Sequence, residues 1–158
     1  MLSPEQRQSL ADVVAAHQHQ AGALLPLLHG VQDALGYLPE GSVEIIAQAL
    51  NLSRAEVHGV ISYYHHFRSE PAGRQHLQIC RAESCQSMGA EALWKQACAQ
   101  LNCASAGGTS LDGAATLEPV YCLGLCAASP AMTLNGQPHA RLSPDKLKRL
   151  LDQAGSAA

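Results

Sequence analysis

Two short cysteine loops in the second half of the chain constrain its fold more than any other feature. Cys80-Arg81-Ala82-Glu83-Ser84-Cys85 separates its thiols by four residues, and Cys122-Leu123-Gly124-Leu125-Cys126 separates its own by three. Each loop puts two thiols on one turn, so a fold that joins the loops offers four ligands to one soft metal centre. The redox dithiol of thioredoxins needs Cys-x-x-Cys, which neither loop has. Structural zinc sites place two to four residues between paired cysteines, so a closed zinc staple made of four thiolates competes. The plant-type iron–sulfur pattern also begins Cys-x4-Cys, but its third cysteine falls where this chain has Met88. Spacing alone leaves zinc and iron–sulfur both open. Gly124 lets the second turn fold back without a Cβ in the way, and amides in such turns can point at thiolate sulfur.

Composition narrows the setting. A net charge of −3 with 15% charged residues supports neither nucleic-acid binding nor attraction to an anionic membrane. Lys146, Lys148 and Arg149 form a short cluster that suits the solvated face and last turns of a helix. No apolar run reaches the ~20 residues of a membrane span. The start, Met1-Leu2-Ser3-Pro4-Glu5-Gln6, lacks the basic region and apolar core of a signal peptide. A cytoplasmic location is expected, and there six cysteines point to metal or redox work rather than a disulfide frame.

The first seventy residues read as four short helices. Ser3 and Gln6 make a capping box with Pro4 in the first turn, and Leu10, Val13, Val14 and His17 follow at helical spacing. Leu24, Leu27, Leu28, Val31 and Leu35 form a second stripe, which Gly36 ends and Pro39 closes off. Val43, Ile46, Ala47 and Leu50 make a third. Ser53 and Glu56 cap a fourth, with Val57, Val60, Ile61 and Tyr64 on one face. Short connections suggest an antiparallel four-helix bundle over residues 1–70. The linker-like run Ser69-Glu70-Pro71-Ala72-Gly73 marks the boundary.

Residues 71–158 change period. His76 to Cys80 alternates as a strand, a helix runs from about Ala90 to Leu101, and extended pieces follow around 109–112 and 116–121. Ala131–Leu134 and His139–Leu142 flank Asn135-Gly136, a strong hairpin signal. Ser143-Pro144 opens a last helix with Leu147, Leu150 and Leu151 inward and Leu142 stapled on Leu147. The fold class is α+β, with the second part a small α/β sandwich. Cys98 lies on the stripe of Trp94, Ala97 and Leu101 and reads as a small buried hydrophobe. Cys103 falls in a loop, which leaves a ligand swap and a disulfide with Cys98 open without favouring either. Adjacent His65 and His66 point in different directions, His17 reads as core or interface, and His139 as solvent-facing, so no histidine is assigned to metal.

Cys80-x4-Cys85, roughly three dozen further residues, then Cys122-Leu-Gly-Leu-Cys126 and Ala127-Ala128-Ser129-Pro130 resemble the thioredoxin-like [2Fe–2S] subunit family of complex I, the 24 kDa type. Ser62-Tyr63-Tyr64-His65-His66-Phe67 and Thr109-x-x-Asp112-Gly113 extend the resemblance over nearly the whole chain. Within the family, Cys80 to Gly89 is most similar to the gamma subunit of NAD-dependent formate dehydrogenases. The resemblance implies a helical bundle followed by a thioredoxin-like [2Fe–2S] ferredoxin domain. It implies one [2Fe–2S] cluster held by Cys80, Cys85, Cys122 and Cys126, an electron-transfer role, and no substrate site on this chain. It also implies a partner diaphorase subunit carrying FMN and binding NAD, and beyond it a molybdenum-containing formate-oxidising subunit. Complex I itself and NAD-linked hydrogenases use the same type of subunit. The family's fold usually keeps a cis proline just before a strand, and Pro130 stands there.

Overall fold

The computed structural model describes residues 2–156. The chain divides into two compact units, the first ending at Pro71 and the second starting at Ala72.

The first unit is helical: α1 Pro4–His17, α2 Leu24–Leu35, α3 Glu40–Leu50 and α4 Arg54–Tyr63. Both capping boxes form. Gln6 N–H donates to Ser3 Oγ at 3.1 Å while Ser3 N–H donates to Gln6 Oε1 at 3.0 Å, and Ser53 and Glu56 repeat the exchange at 3.2 and 2.8 Å. Gly36 ends α2 with φ 81°, a left-handed conformation that a side chain would strain. Leu10, Leu27, Leu28, Val31, Ile46 and Val57 are buried together. Each such side chain contributes about 1.5–3 kcal/mol on burial against about 1 kcal/mol for a cap, so the shared core outweighs the caps.

Chain beyond α4 is held by one buried amide. Gln32 Nε2 donates to the His66 carbonyl at 2.9 Å, and its Oε1 accepts from Arg68 N–H at 2.9 Å. This clamp seats Phe67 in the core, with the His29 ring 5.0 Å from it. Tyr64 departs from its expected place on the inner face of α4. The helix stops at Tyr63, Tyr64 turns to extended backbone, and its side chain is 42% exposed.

The second unit carries β1 Gln75–Cys80, α5 Glu83–Ser87, α6 Ala90–Leu101, β2 Gly108–Thr109, β3 Ala115–Val120, β4 Met132–Leu134, β5 Gln137–His139 and α7 Pro144–Ser156. Its sheet runs β2-β3-β1-β4-β5, with β1 and β3 parallel and the other pairs antiparallel. Alternation along β1 separates two faces. Leu77 and Ile79 join Trp94 and Ala97 of α6 and Leu147 and Leu151 of α7 in one core, with Leu142 in the same cluster. His76 and Gln78 point the other way, where Glu118 Oε2 lies 2.8 Å from His76 Nε2 and accepts from Gln78 at 3.2 Å.

Three boundaries differ from expectation. Asn135 and Gly136, with φ 49° and 79°, form a two-residue turn, so β5 starts at Gln137 opposite Leu134 rather than at His139. His139 accordingly pairs with Met132 and is half-buried rather than solvent-facing. The piece expected at 109–112 is a strand only through Thr109, because Asp112 Oδ1 accepts from Ala114 N–H at 3.0 Å and closes a turn. The five-residue α5 sits inside a stretch read as a loop; it is too short to show a helical period.

Candidate metal centre

Parallel pairing sets the geometry. Cys80 is the last residue of β1 and lies opposite Val120, the last of β3, so both strands end at the same edge of the sheet. Arg81 N–H continues the ladder to the Val120 carbonyl at 2.8 Å, and two residues further β3 delivers Cys122. The first cysteine loop then enters α5, which carries Cys85 inward; the second turns through a 3-10 segment, Cys126–Ala128. Cys122 itself takes φ 105° and Gly124 φ 75°. That doubled left-handed turn points Gly124 N–H at Cys122 Sγ, 3.3 Å away.

Cys80 and Cys85 are buried with Ala90 and Ala131, and Ala82, Val120, Leu123 and Leu125 pack around them. Cys122 and Cys126 are exposed, their sulfurs 3.7 Å apart. Two sulfurs on one tetrahedral metal at about 2.3 Å bonds stand at close to that separation. Serines tie the two loops together: Ser84 Oγ donates to the Cys126 carbonyl at 3.2 Å and lies 2.8 Å from Ser129 Oγ. Ser129 Oγ also donates to the Cys126 carbonyl at 2.7 Å and accepts from the Cys85 thiol at 3.6 Å. The Ser129–Pro130 peptide is cis, as the resemblance implied. The bonds by which these serines join the two loops carry no signal in the sequence, since they link residues more than forty positions apart.

The thiols do not titrate alike. Burial pushes Cys80 up, but donation from the Ala82 amide, the Cys85 thiol and the amides of Cys122 and Leu123 outweighs it, and the net shift is downward. Cys126 is pushed up by its hydrogen bond to Cys122 and by the charge of that neighbour. Cys98 and Cys103 are pushed up, first by burial. Backbone donors thus converge on Cys80 and Cys122, and that donor set suits a thiolate-bound, negatively charged iron–sulfur group. Among the described residues no three His, Cys, Asp or Glu side chains stand at the spacing of a single-ion site. Cys98 and Cys103 pack against the α6–sheet core instead, half-buried.

Arg81, between the two thiols of the first loop, is held rigidly. Its Nε and Nη2 donate to Glu91 at 2.8 and 2.9 Å, and its guanidinium lies 4.7 Å from the Trp94 ring centroid. That bidentate, stacked arrangement anchors the loop to α6. Among the described residues no helix is long and apolar enough to cross a membrane.

Comparison with known proteins adds a family. A family model described as thioredoxin-like [2Fe-2S] ferredoxin matches residues 10–155. One NADH-quinone oxidoreductase subunit of Rhizobium meliloti (strain 1021) is 34% identical over 151 residues, covering 96% of this chain and 89% of that protein. Its counterpart in Pseudomonas aeruginosa, also an NADH-quinone oxidoreductase subunit, is 30% identical over 152 residues, covering 96% and 91%. A chain of NAD+-reducing [NiFe]-hydrogenase in the H2-reduced state superposes with TM-score 0.74 at 24% identity over 85% of this chain, a likeness of fold. This chain spans 22% of that one.

Proposed function

We propose, since this chain belongs to the thioredoxin-like [2Fe-2S] ferredoxin family, that it is an electron-transfer subunit holding one [2Fe–2S] cluster through Cys80, Cys85, Cys122 and Cys126. The observation that carries this reading is the parallel β1–β3 register, which places both cysteine loops at one edge of the sheet. When bound, the cluster supplies a one-electron carrier at that edge. The chain's own residues hold it: Cys80 and Cys85 from the buried side, Cys122 and Cys126 from the exposed side. Gly124 N–H on Cys122 and the amides around Cys80 disperse negative charge on sulfur, which raises a reduction potential. Arg81, locked on Glu91 and Trp94, keeps the first loop from moving as charge changes.

The partner in this reading is an FMN-carrying, NAD-binding diaphorase subunit in the cytoplasm, and it is the partner that binds the nucleotide. The complete enzyme is an NAD-dependent formate dehydrogenase with a molybdenum-containing formate-oxidising subunit, supported by the likeness of the Cys80–Gly89 stretch to its gamma subunit. The relatives named NADH-quinone oxidoreductase favour a second assembly, the complex I type.

Freshly purified protein tests the centre: a brown, reducible sample with two irons and two labile sulfides per chain supports it, and a colourless zinc protein overturns it. Mass spectrometry of the subunits that co-purify tests the assembly. A molybdenum subunit supports the formate enzyme; quinone-oxidoreductase or nickel-hydrogenase subunits overturn it.

A further inference from the structure

Cys98 and Cys103 have no part in the centre described above, yet the end of α6 brings both to one backbone closure and one cavity. Asn102 takes a left-handed conformation, φ 50°, and its N–H bonds to the Cys98 carbonyl. Cys103 N–H donates to the same carbonyl at 3.0 Å. This is the six-residue closure of a Schellman turn, which frequently brings the side chains at its first and last positions together across the helix end. Apolar residues usually fill those two positions; here both are thiols.

Both thiols are half-buried, both are free, and both line one open cavity of about 530 Å³ with Ala99, Asn102, Leu111 and Asp112. The Cys98 thiol donates to the Ala104 carbonyl at 3.4 Å and that of Cys103 to the Leu101 carbonyl at 3.7 Å. These are weak sulfur donors that a covalent bond can replace at little loss. A small molecule can therefore reach both thiols from the one cavity.

We propose that Cys98 and Cys103 form a reversible dithiol–disulfide site, closed by exchange with a small disulfide of the oxidised-glutathione class. One protein thiolate attacks the small disulfide, forms a mixed disulfide and releases one small thiol. The second protein thiolate attacks the protein sulfur of that mixed disulfide, forms the Cys98–Cys103 bond and releases the other small thiol. Two protein thiols have lost two protons and two electrons, and one small disulfide has become two thiols. The new bond ties the last turn of α6 to the loop before β2. This site stands whether or not the four-cysteine centre holds iron.

Peptide mapping of the full, cluster-loaded protein decides it. Samples are equilibrated anaerobically over graded ratios of oxidised to reduced glutathione, acid-quenched and alkylated. The expected result is a two-dalton loss on the peptides joined through Cys98 and Cys103, two of the six thiols protected, and visible absorbance unchanged. Reduction with excess dithiol restores both. In Cys98→Ala, Cys103 should carry a single glutathione with no internal bond, and Cys103→Ala should mirror this. Full alkylation of both thiols at every ratio overturns the site, as does glutathione on each thiol separately with no bridged species in the unsubstituted protein.

Discussion

Cys80 lies directly opposite Val120 in the parallel pairing of β1 with β3, and both strands end there. Antiparallel strands would have sent the two cysteine loops to opposite edges. Parallel ones need a long crossover, and this chain spends α5, α6 and β2 on it. The crossover helix α6 also contributes Trp94, which stacks under Arg81 and so braces the first loop. Register is equally constrained: a slip of one residue would turn Leu77 and Ile79 out of the α6–α7 core and move Cys80 out of its own buried cluster with Cys85, Ala90 and Ala131.

Ligand chemistry separates the cysteines. Cys122→Ser replaces a thiolate with a harder, poorer ligand. Iron content and visible absorbance should fall to a small fraction of the unsubstituted protein's. Cys98→Ala should retain both in full, because Cys98 packs against the α6–sheet core and away from the four-thiol cluster. Iron and sulfide assay on the two purified variants checks the pair, and colour loss in Cys98→Ala would reverse the ligand assignment.

Gly124→Ala isolates backbone conformation from crowding. A Cβ at Gly124 would meet nothing within 4 Å, but the residue sits at φ 75°. The cost is therefore the left-handed backbone alone, about 1–2 kcal/mol for an L side chain. A turn relaxing toward negative φ also withdraws the Gly124 N–H from Cys122 Sγ, now 3.3 Å away. With one donor fewer on sulfur, the reduction potential should move down. Potentiometric titration of the variant, followed by visible absorbance, reads the sign of that shift.

How much of this is legible in the sequence follows from which interactions are local. The caps at Ser3 and Ser53, the stop at Gly36 and the turn at Asn135-Gly136 are each decided within a few residues, and each stands where the residues place it. The four candidate ligands can be named because two loops and a family pattern share them. Tyr64 escapes the helical reading because its spacing continues past the real end of α4, where the Gln32 clamp on His66 and Arg68 takes the chain away. The bonds of Ser84 to Cys126 and Ser129 across the two loops are invisible for the same reason. Their partners are brought by tertiary structure, and serine has no period to betray it.

Core and surface should respond to truncation very differently. Ile79 is fully buried between α6 and α7, so Ile79→Ala removes three carbons from a packed site and should cost about 2–5 kcal/mol. Leu111 is fully exposed beside the turn at Asp112, and Leu111→Ala should stay within about 0.5 kcal/mol. Urea unfolding of the two variants, followed by tryptophan fluorescence from the core residue Trp94, provides the comparison. Equal midpoints would contradict the placement of Ile79.

Acid should weaken the first unit through Glu56. Its carboxylate accepts from Ser53 N–H at 2.8 Å and from Ser53 Oγ at 2.8 Å, and these two bonds, the backbone one first, hold its pKa below the ordinary 4.5. A depressed folded pKa means that the unfolded chain takes up a proton more readily. The stabilisation is then complete above 4.5 and is lost as pH falls through the lower, folded value. Glu56→Ala should therefore lower the urea midpoint of the helical unit at pH 7, measured by circular dichroism. The gap between variant and unsubstituted protein should narrow once pH drops below 4.5. A gap that widened in acid would place the Glu56 pKa above the ordinary value and remove the cap from the account of α4.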